Sequence, residues 1–199
     1  MKSKKTFLTE RSFLCFLTER KIFLIIIFYC INLEKVANLN YSTHVATSLA
    51  AGTYLTTVTN VPFSVACLGG IVIGSLLPDI DEPNSFVGRR TFGLSKLIKK
   101  TFGHRGLTHS LLFWLLFSLL YYKFQNDFTL GLSLGYVFHI IGDFFSRQGV
   151  PLFFPFTKKK FRAPLTYKTG TVQERALLVV ALVAFVYIVY RYKLFVTVF

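Results

Sequence analysis

Five apolar segments, joined by short or strongly basic connections, dominate the sequence of this chain. They cover residues 44–60, 62–77, 107–124, 128–145 and 176 onward. The chain is 53% hydrophobic and 16% charged, with a mean hydropathy of +0.52, which excludes a disordered or collagen-like chain and argues against an ordinary soluble domain. The segments therefore predict an all-α integral membrane bundle of about five transmembrane helices.

The shortest connections predict how neighbouring segments pair. Residues 60–62 and residues 125–127 leave room only for tight turns, so each flanking pair is expected to form an antiparallel hairpin. The second segment carries Gly70 and Gly74 one helical turn apart. That spacing allows the backbone of a neighbouring helix to approach closely.

Residues 1–43 form a separate extension that is both basic and apolar. Its apolar run, residues 22–33, is shorter than the ~20 residues that cross a bilayer. The run resembles part of a signal peptide but lacks a small-residue cleavage site. We interpret residues 1–43 as an interfacial extension, with an extra span as the alternative, followed by a membrane-embedded domain over residues 44–199.

Basic residues are concentrated beside the apolar segments. The chain has 23 Lys and Arg against 9 Asp and Glu, and most of the basic residues lie in residues 1–21, 80–106 and 146–175. By the positive-inside rule we expect these connections to face the cytoplasm. The positive charge lies in the connections beside the membrane segments, which argues against nucleic-acid binding. It indicates the lipid bilayer as the partner. The oligomeric state is left open.

Histidine and aspartate are concentrated at the ends of the apolar segments. These residues are His44, Asp79, Asp81, His104, His109, His139 and Asp143. In an up-and-down bundle all of these ends lie at one membrane face, so the side chains are expected to converge. Buried ionisable groups need a partner, and imidazole and carboxylate are ligands of divalent metals. The pattern predicts a metal site at the cytoplasmic face, with zinc favoured by the histidines and manganese, magnesium or iron left open.

Local spacing within the fourth segment supports this prediction. His139 and Asp143 are four residues apart, so they lie on the same face of a helix, and Gly142 leaves room beside them. The cysteines do not contribute, because they are widely spaced and set among apolar neighbours. They are Cys15, Cys30 and Cys67.

The residues around the other ends predict local backbone structure. Pro78 disrupts a continuing helix, so Asp79 and Asp81 are expected in an irregular turn; if that turn is extended, both side chains face the same way. Thr43 and Thr108 each precede a histidine at the start of a segment. We therefore expect them to cap the helices that follow.

Taken together, these motifs resemble the YdjM-like family of membrane-bound metal-dependent hydrolases, described as LexA-regulated in some bacteria. The resemblance is carried by Thr43-His44, GSLLPDIDE at 74–82, HRGLTHS at 104–110, and residues 135–143. It implies a bacterial inner-membrane protein, inferred to be a hydrolase, whose site residues are the histidines and aspartates named above. A looser similarity, in ligand type and order, is to the helical zinc-dependent phospholipase C group.

Metal-assisted hydrolysis is the chemistry that such a site performs, because a bound cation activates water and polarises a phosphoryl or carbonyl oxygen. Asp81 and Glu174 are the candidates for a general base, and Glu174 is alternatively an acid at a helix start. Arg105 is the candidate for binding an anionic oxygen. We expect a phosphoester substrate such as a phospholipid. The alternative is a non-catalytic metal-binding membrane protein, either a stress-response component or a cation carrier.

Overall fold

A computed structural model describes residues 39–59, 61 and 63–194, so residues 1–38 of the extension predicted over 1–43 lie outside the described residues, and residues 39–43 belong to the first helix. Six α-helices carry the described fold: α1 Leu39–Val58, α2 Val65–Leu76, α3 Leu94–Phe102, α4 Leu111–Phe124, α5 Asp127–Phe144 and α6 Val172–Arg191. Short 3-10 turns at Pro78–Asp81, Gly88–Arg90 and Leu107–His109 join them. Within the described residues only two isolated β-bridges occur, both in the connection between α5 and α6. The prediction of an all-α fold is confirmed.

Each of the five apolar segments is helical, but two helices begin at unexpected positions. α1 begins at Leu39, so Thr43 lies inside the helix and the prediction that it caps the helix is wrong. Thr108 lies in a 3-10 turn, and Ser110 caps α4 by accepting a hydrogen bond from the Phe113 backbone N–H. The cap predicted at Thr108 is therefore wrong as well. Helix α3 forms within a connection for which no helix was predicted.

α2 and α5 form the most closely packed helix pair. A Cβ atom at Gly74 would overlap the carbonyl of Leu132, and one at Gly70 would overlap the backbone of α5. The predicted role of both glycines in close packing is confirmed, and α5 contributes Gly131 and Gly135 to the same interface. The contacts advance in the same direction along both helices. α2 and α5 therefore run parallel, and their C-terminal ends lie side by side.

α1 brings a histidine to the C-terminal end of α5. The rings of His44 and His139 stack with their centroids 4.0 Å apart. One turn of α1 is fixed against α6 by a small apolar cluster of Ala46, Leu178 and Ala181. The start of α1 is thereby held beside the end of α5.

α4 and α5 form the hairpin predicted around residues 125–127. Asn126 caps α5 by accepting a hydrogen bond from the Thr129 backbone N–H at 2.9 Å. Across the pair, the ring of Tyr136 stacks on Phe117 with the centroids 4.6 Å apart. The Tyr136 hydroxyl also donates to the backbone carbonyl of Thr108, which fixes the turn before α4 against α5.

Helix α6 has the length and composition of a membrane span. Among the described helices, Val172–Arg191 is the one that meets both criteria, while Leu111–Phe124 is apolar but has only 14 residues. Large apolar side chains on the outer faces of both helices are exposed, including Leu116 and Leu119 of α4 and Val180 and Val183 of α6. Length and composition thus support a span at α6, and the exposed surface of α4 is equally apolar.

Candidate metal centre

The predicted histidines and aspartates meet at one end of the helices. His44 comes from α1, Asp79 and Asp81 from the turn after α2, His104 and His109 from the connection into α4, and His139 and Asp143 from α5. Each is linked to another member of the set by a nitrogen–oxygen distance below 4 Å. The side chain of His104 is 33% exposed and that of Asp79 is 18% exposed, whereas the other five are buried.

Four ligand atoms face one another at the centre of this group: Asp79 Oδ1, His109 Nε2, His139 Nε2 and Asp143 Oδ2. His109 Nε2 lies 3.2 Å from Asp143 Oδ2 and 3.9 Å from Asp79 Oδ1. His139 Nε2 lies 3.7 Å from each of the same two oxygens. Ligands held tetrahedrally at zinc distances are about 3.3 Å apart, so these four distances are at most about 0.6 Å longer.

Three of these four ligand atoms are buried without a hydrogen-bond partner in the described part of the chain. The Nε2 atoms of His109 and His139 and the Oδ2 atom of Asp143 are buried and make no hydrogen bond with any described residue. Leaving polar groups unpaired in the interior costs free energy. A divalent cation is a partner that satisfies all three atoms at once and also neutralises the carboxylates of Asp79 and Asp143.

His44 completes a second, overlapping group with His139 and Asp143. One ligand atom from each of these three residues lies within 4.8 Å of the others, as also holds for Asp79, His109 and His139. His44 Nε2 lies 3.4 Å from Asp143 Oδ1. A Cβ atom at Gly142 would lie 2.9 Å from His44 Nδ1, so the room predicted beside this glycine is confirmed.

The ring of His139 is oriented from behind by a backbone carbonyl. His139 Nδ1 lies 2.6 Å from the carbonyl oxygen of Ser75 in α2. Because a carbonyl can only accept, Nδ1 carries the proton and Nε2 presents its lone pair to the centre. No sequence signal reveals this contact, since any residue at position 75 supplies the same carbonyl.

Asp81 occupies a similar position behind the other histidines. Its Oδ1 lies 3.2 Å from His104 Nδ1, and its Oδ2 lies 3.2 Å from His109 Nδ1. Oδ2 also accepts hydrogen bonds from the Arg105 backbone N–H at 2.9 Å and the Thr108 hydroxyl at 2.6 Å. Asp81 and His104 therefore lie beside the two ligand groups, and Asp81 orients both histidines.

Asp79 and Asp81 face different neighbours because Pro78–Asp81 forms a 3-10 turn. The irregular turn predicted at Pro78 is confirmed, but the expectation that an extended backbone turns both carboxylates the same way is wrong. At three residues per turn, side chains two positions apart diverge. Asp79 therefore reaches the central ligand atoms, while Asp81 supports His104 and His109.

Hydrogen bonding sets the ionisation of the groups in the connections. Burial raises the pKa of Asp81, but hydrogen bonds with His104 and His109 lower it well below its usual range, so the carboxylate stays ionised. Burial lowers the pKa of His109, but the neighbouring carboxylates of Asp143 and Asp81 raise it to about 9. Both shifts reflect the close pairing of carboxylates with imidazoles around the centre.

Arg105 ties the HRGLTHS motif to the end of α5. Its Nη2 donates to Asp143 Oδ1 at 2.5 Å, and its Nη1 donates to the Ser146 hydroxyl at 2.7 Å. The Arg105 side chain is only 8% exposed, so the pair with Asp143 is buried. This pairing holds one carboxylate oxygen of Asp143 and leaves Oδ2 facing the centre.

A cavity of about 180 Å³ opens onto this site. His44, Asp79 and Arg105 line it on the inside, and His104 and Glu82 lie at its rim. Glu82 Oε2 lies 3.6 Å from His104 Nδ1 and forms an ion pair with Lys99 at 2.7 Å. The cavity gives a small polar group access to Asp79 and His44 from the side of His104.

Glu174 is buried in the first turn of α6. Its Oε2 accepts a hydrogen bond from the Gly170 backbone N–H at 2.6 Å. Among the described residues its carboxylate makes no hydrogen bond to the seven histidines and aspartates. These contacts favour the interpretation of Glu174 as an acid that stabilises a helix start.

Comparison with known proteins shows which family the described part of the chain matches. Residues 39–198 match the family model described as YdjM inner membrane protein. The chain is 43% identical over 101 residues to the proteins named inner membrane protein YdjM of Escherichia coli and Shigella flexneri, which is 47% of this chain and 51% of theirs. It is 38% identical over 136 residues to the uncharacterized protein YvsG of Bacillus subtilis, covering 67% of this chain and 82% of that protein. The match thus spans about half the length of the two YdjM proteins. No solved structure matches the chain.

Proposed function

Because the chain belongs to the YdjM family of bacterial inner membrane proteins, we propose that it is a membrane-bound, metal-dependent hydrolase of phosphoesters. The convergence of four ligand atoms, three of them buried without hydrogen bonds, carries the proposal. A set of two imidazoles and two carboxylates suits zinc best, with manganese, magnesium and iron as the alternatives.

The proposal includes a multi-pass topology with the metal centre on the cytoplasmic side. The span-like composition of α6 and the exposed apolar surface of α4 support membrane embedding. The parallel α2 and α5 both end at the centre, as alternate spans of an up-and-down bundle do. The basic connections 80–106 and 146–175 flank the same end, and the positive-inside rule assigns it to the cytoplasm.

The residues of the centre divide into ligands and residues that position them. Asp79, His109, His139 and Asp143 are the proposed ligands, and His44 is the candidate for a fifth. When bound, a divalent cation supplies a Lewis acid that polarises a phosphoryl oxygen and lowers the pKa of water to about 7. Positioning comes from the Ser75 carbonyl behind His139 and from Asp81 behind His109.

His104 is the residue best placed to transfer a proton in the cavity. It is partly exposed at the cavity rim, and its Nδ1 contacts Asp81, which fixes the ring. Asp81 thus acts through two histidines, because both of its oxygens are already engaged. For Glu174 to act as the base instead, its hydrogen bond to Gly170 would have to break.

The cavity and its charge suggest the substrate class. About 180 Å³ accommodates a phosphoryl group with part of its ester, but not a whole phospholipid. Arg105 lines the inner wall, and a cation at the centre would add positive charge to attract an anionic phosphate. We therefore propose a phosphoester whose phosphate enters the cavity while the remainder stays outside, as a membrane lipid would.

Metal content and turnover, measured together, test the proposal. Detergent-purified protein should contain near-stoichiometric divalent metal, which His139→Gln should remove. His104→Gln is the matched control, because it should keep the metal and lose turnover of generic phosphodiester and phosphomonoester substrates. A folded wild-type protein that binds no divalent metal would overturn the proposal. Equal background rates from metal-loaded wild type and His104→Gln would instead favour the non-catalytic metal-binding alternative.

A further inference from the structure

Residues 92–102, which comprise helix α3 and the two residues before it, present an apolar surface in a connection between polar turns. Phe92 is fully exposed, and Leu94, Leu97 and Phe102 are exposed by 49%, 58% and 46%. We propose that this segment is an interfacial anchor that lies in the headgroup layer of an anionic leaflet. The proposal concerns membrane docking alone, so it does not depend on the hydrolase activity.

The apolar and basic residues of α3 are on separate faces. With 3.6 residues per turn, Leu94, Leu97, Ile98 and Phe102 fall within one arc of the helix. The lysines Lys96, Lys99 and Lys100 fall outside that arc. A strongly amphipathic helix of low net hydrophobicity, with lysine on one face and Leu and Phe on the other, is typical of segments that lie in a membrane interface.

The protein itself contacts α3 along a third side. Ser95 is buried, and its backbone N–H donates to the Thr91 hydroxyl at 3.2 Å. Lys99 forms the ion pair with Glu82 at 2.7 Å. Within the described part of the chain, these contacts fix α3 while Leu94 and Leu97 stay uncovered.

Charge identifies a membrane surface as the occupant of the uncovered face. Lys100 is exposed beside the edge of the apolar arc at Leu97, where a long lysine stem extends past apolar contacts to reach phosphates, and Lys96 is exposed on the opposite face. The chain belongs to an inner membrane family, so a lipid surface adjoins its helices. Anionic headgroups above an apolar layer match both the lysines and the apolar arc.

The anchor adjoins the entrance to the metal centre. Its Lys99 contacts Glu82 at the cavity rim, and α3 ends at Phe102, shortly before His104. Docking of α3 would therefore hold the mouth of the cavity level with the lipid headgroups.

A tryptophan reporter in the full-length protein tests this placement. Trp114 is the sole tryptophan, so Trp114→Phe gives a silent background for Phe92→Trp or, as a second reporter on the same face, Leu97→Trp. Lys96→Trp, on the face opposite the apolar arc, is the matched control. Each protein is placed in nanodiscs of phosphatidylglycerol and phosphatidylcholine, with bromine near the top of the acyl chains.

We expect both apolar-face reporters to show blue-shifted emission and several-fold stronger bromine quenching than the Lys96→Trp control. The quenching should fall in nanodiscs of phosphatidylcholine alone, and it should also fall when Lys100→Glu is added. Two results would overturn the proposal. Reporters quenched freely by aqueous iodide and not by bromine would place α3 in water. Reporters shielded from both quenchers would place a protein surface, either a second copy or another partner, on this face.

Discussion

The Nδ1–H of His139 donates to the carbonyl oxygen of Ser75 across 2.6 Å, and this bond joins the ends of α2 and α5 at the candidate metal centre. The bond requires the two helices to lie almost in backbone contact, which the glycines between them permit. Because Asp79 follows α2 and Asp143 ends α5, the same helix packing also sets the distance between these two proposed ligands. The centre is therefore built by a helix interface, and changes in that interface should affect metal binding.

Gly74→Ala should weaken both the fold and the metal centre. The added Cβ atom would overlap the Leu132 carbonyl, so α2 and α5 must separate, at a cost of about 1–3 kcal/mol in the free energy of unfolding. Metal affinity, measured by competition with a fluorescent chelator, should fall with it. Gly69→Ala is the matched control, because no atom lies within 4 Å of its new Cβ. If both variants bound metal like the wild type, the link between packing and metal binding would be wrong.

Asp81→Asn should lower metal affinity by about 10–100-fold without unfolding the protein, because Asp81 orients the proposed ligand His109. Asparagine keeps the shape of the side chain but loses the charge that holds His104 and His109. Asp127→Asn, at the opposite end of α5, should leave affinity unchanged. Metal affinity of Asp81→Asn equal to that of the wild type would show that Asp81 does not position His109.

Arg105→Gln should destabilise the protein on the order of 3 kcal/mol, because it leaves the Asp143 carboxylate buried without its guanidinium partner. Arg105→Lys should recover only part of this loss, since lysine cannot contact Asp143 and Ser146 with a planar fork. Thermal unfolding in detergent measures the effect. Arg147→Gln, at an exposed arginine, is the control. An equal loss of thermal stability in this variant would show that removing any positive charge, rather than breaking the buried pair, is responsible.

Chelation should lower the melting temperature of the wild type, and added zinc should restore it. Metal present at 100 times its dissociation constant stabilises the folded state by about 2.7 kcal/mol. His139→Gln lacks one ligand to the centre, so its melting temperature should not respond to chelator or zinc. A wild-type melting temperature that is equally indifferent would contradict a cation in the centre.

The sequence predicts the meeting of the site residues because each lies at an end of an apolar segment. Ends of neighbouring helices in an up-and-down bundle share a face, so His44, Asp79, His109 and Asp143 are brought together by topology alone. Gly70 and Gly74 likewise indicate a close helix contact, because small residues at that spacing have few other effects.

The finer arrangement could not be predicted from the same pattern. The 3-10 turn that separates the directions of Asp79 and Asp81 depends on packing around Pro78, and the Ser75 carbonyl carries no side-chain signal. The Arg105–Asp143 pair joins residues 38 positions apart, which a single sequence does not connect. Hydrophobic periodicity could have indicated α3, because its apolar residues recur at helical spacing between the lysines.

X-ray absorption at the zinc edge of the zinc-loaded, detergent-purified protein shows directly whether the histidines of the centre bind the cation. We expect a shell of nitrogen and oxygen ligands at about 2.0–2.1 Å that includes about two imidazoles. In His139→Gln the imidazole contribution should fall or the zinc should be lost, whereas His104→Gln should leave the spectrum unchanged. A zinc shell without imidazole, or one that His139→Gln does not alter, would contradict binding of the cation by these histidines.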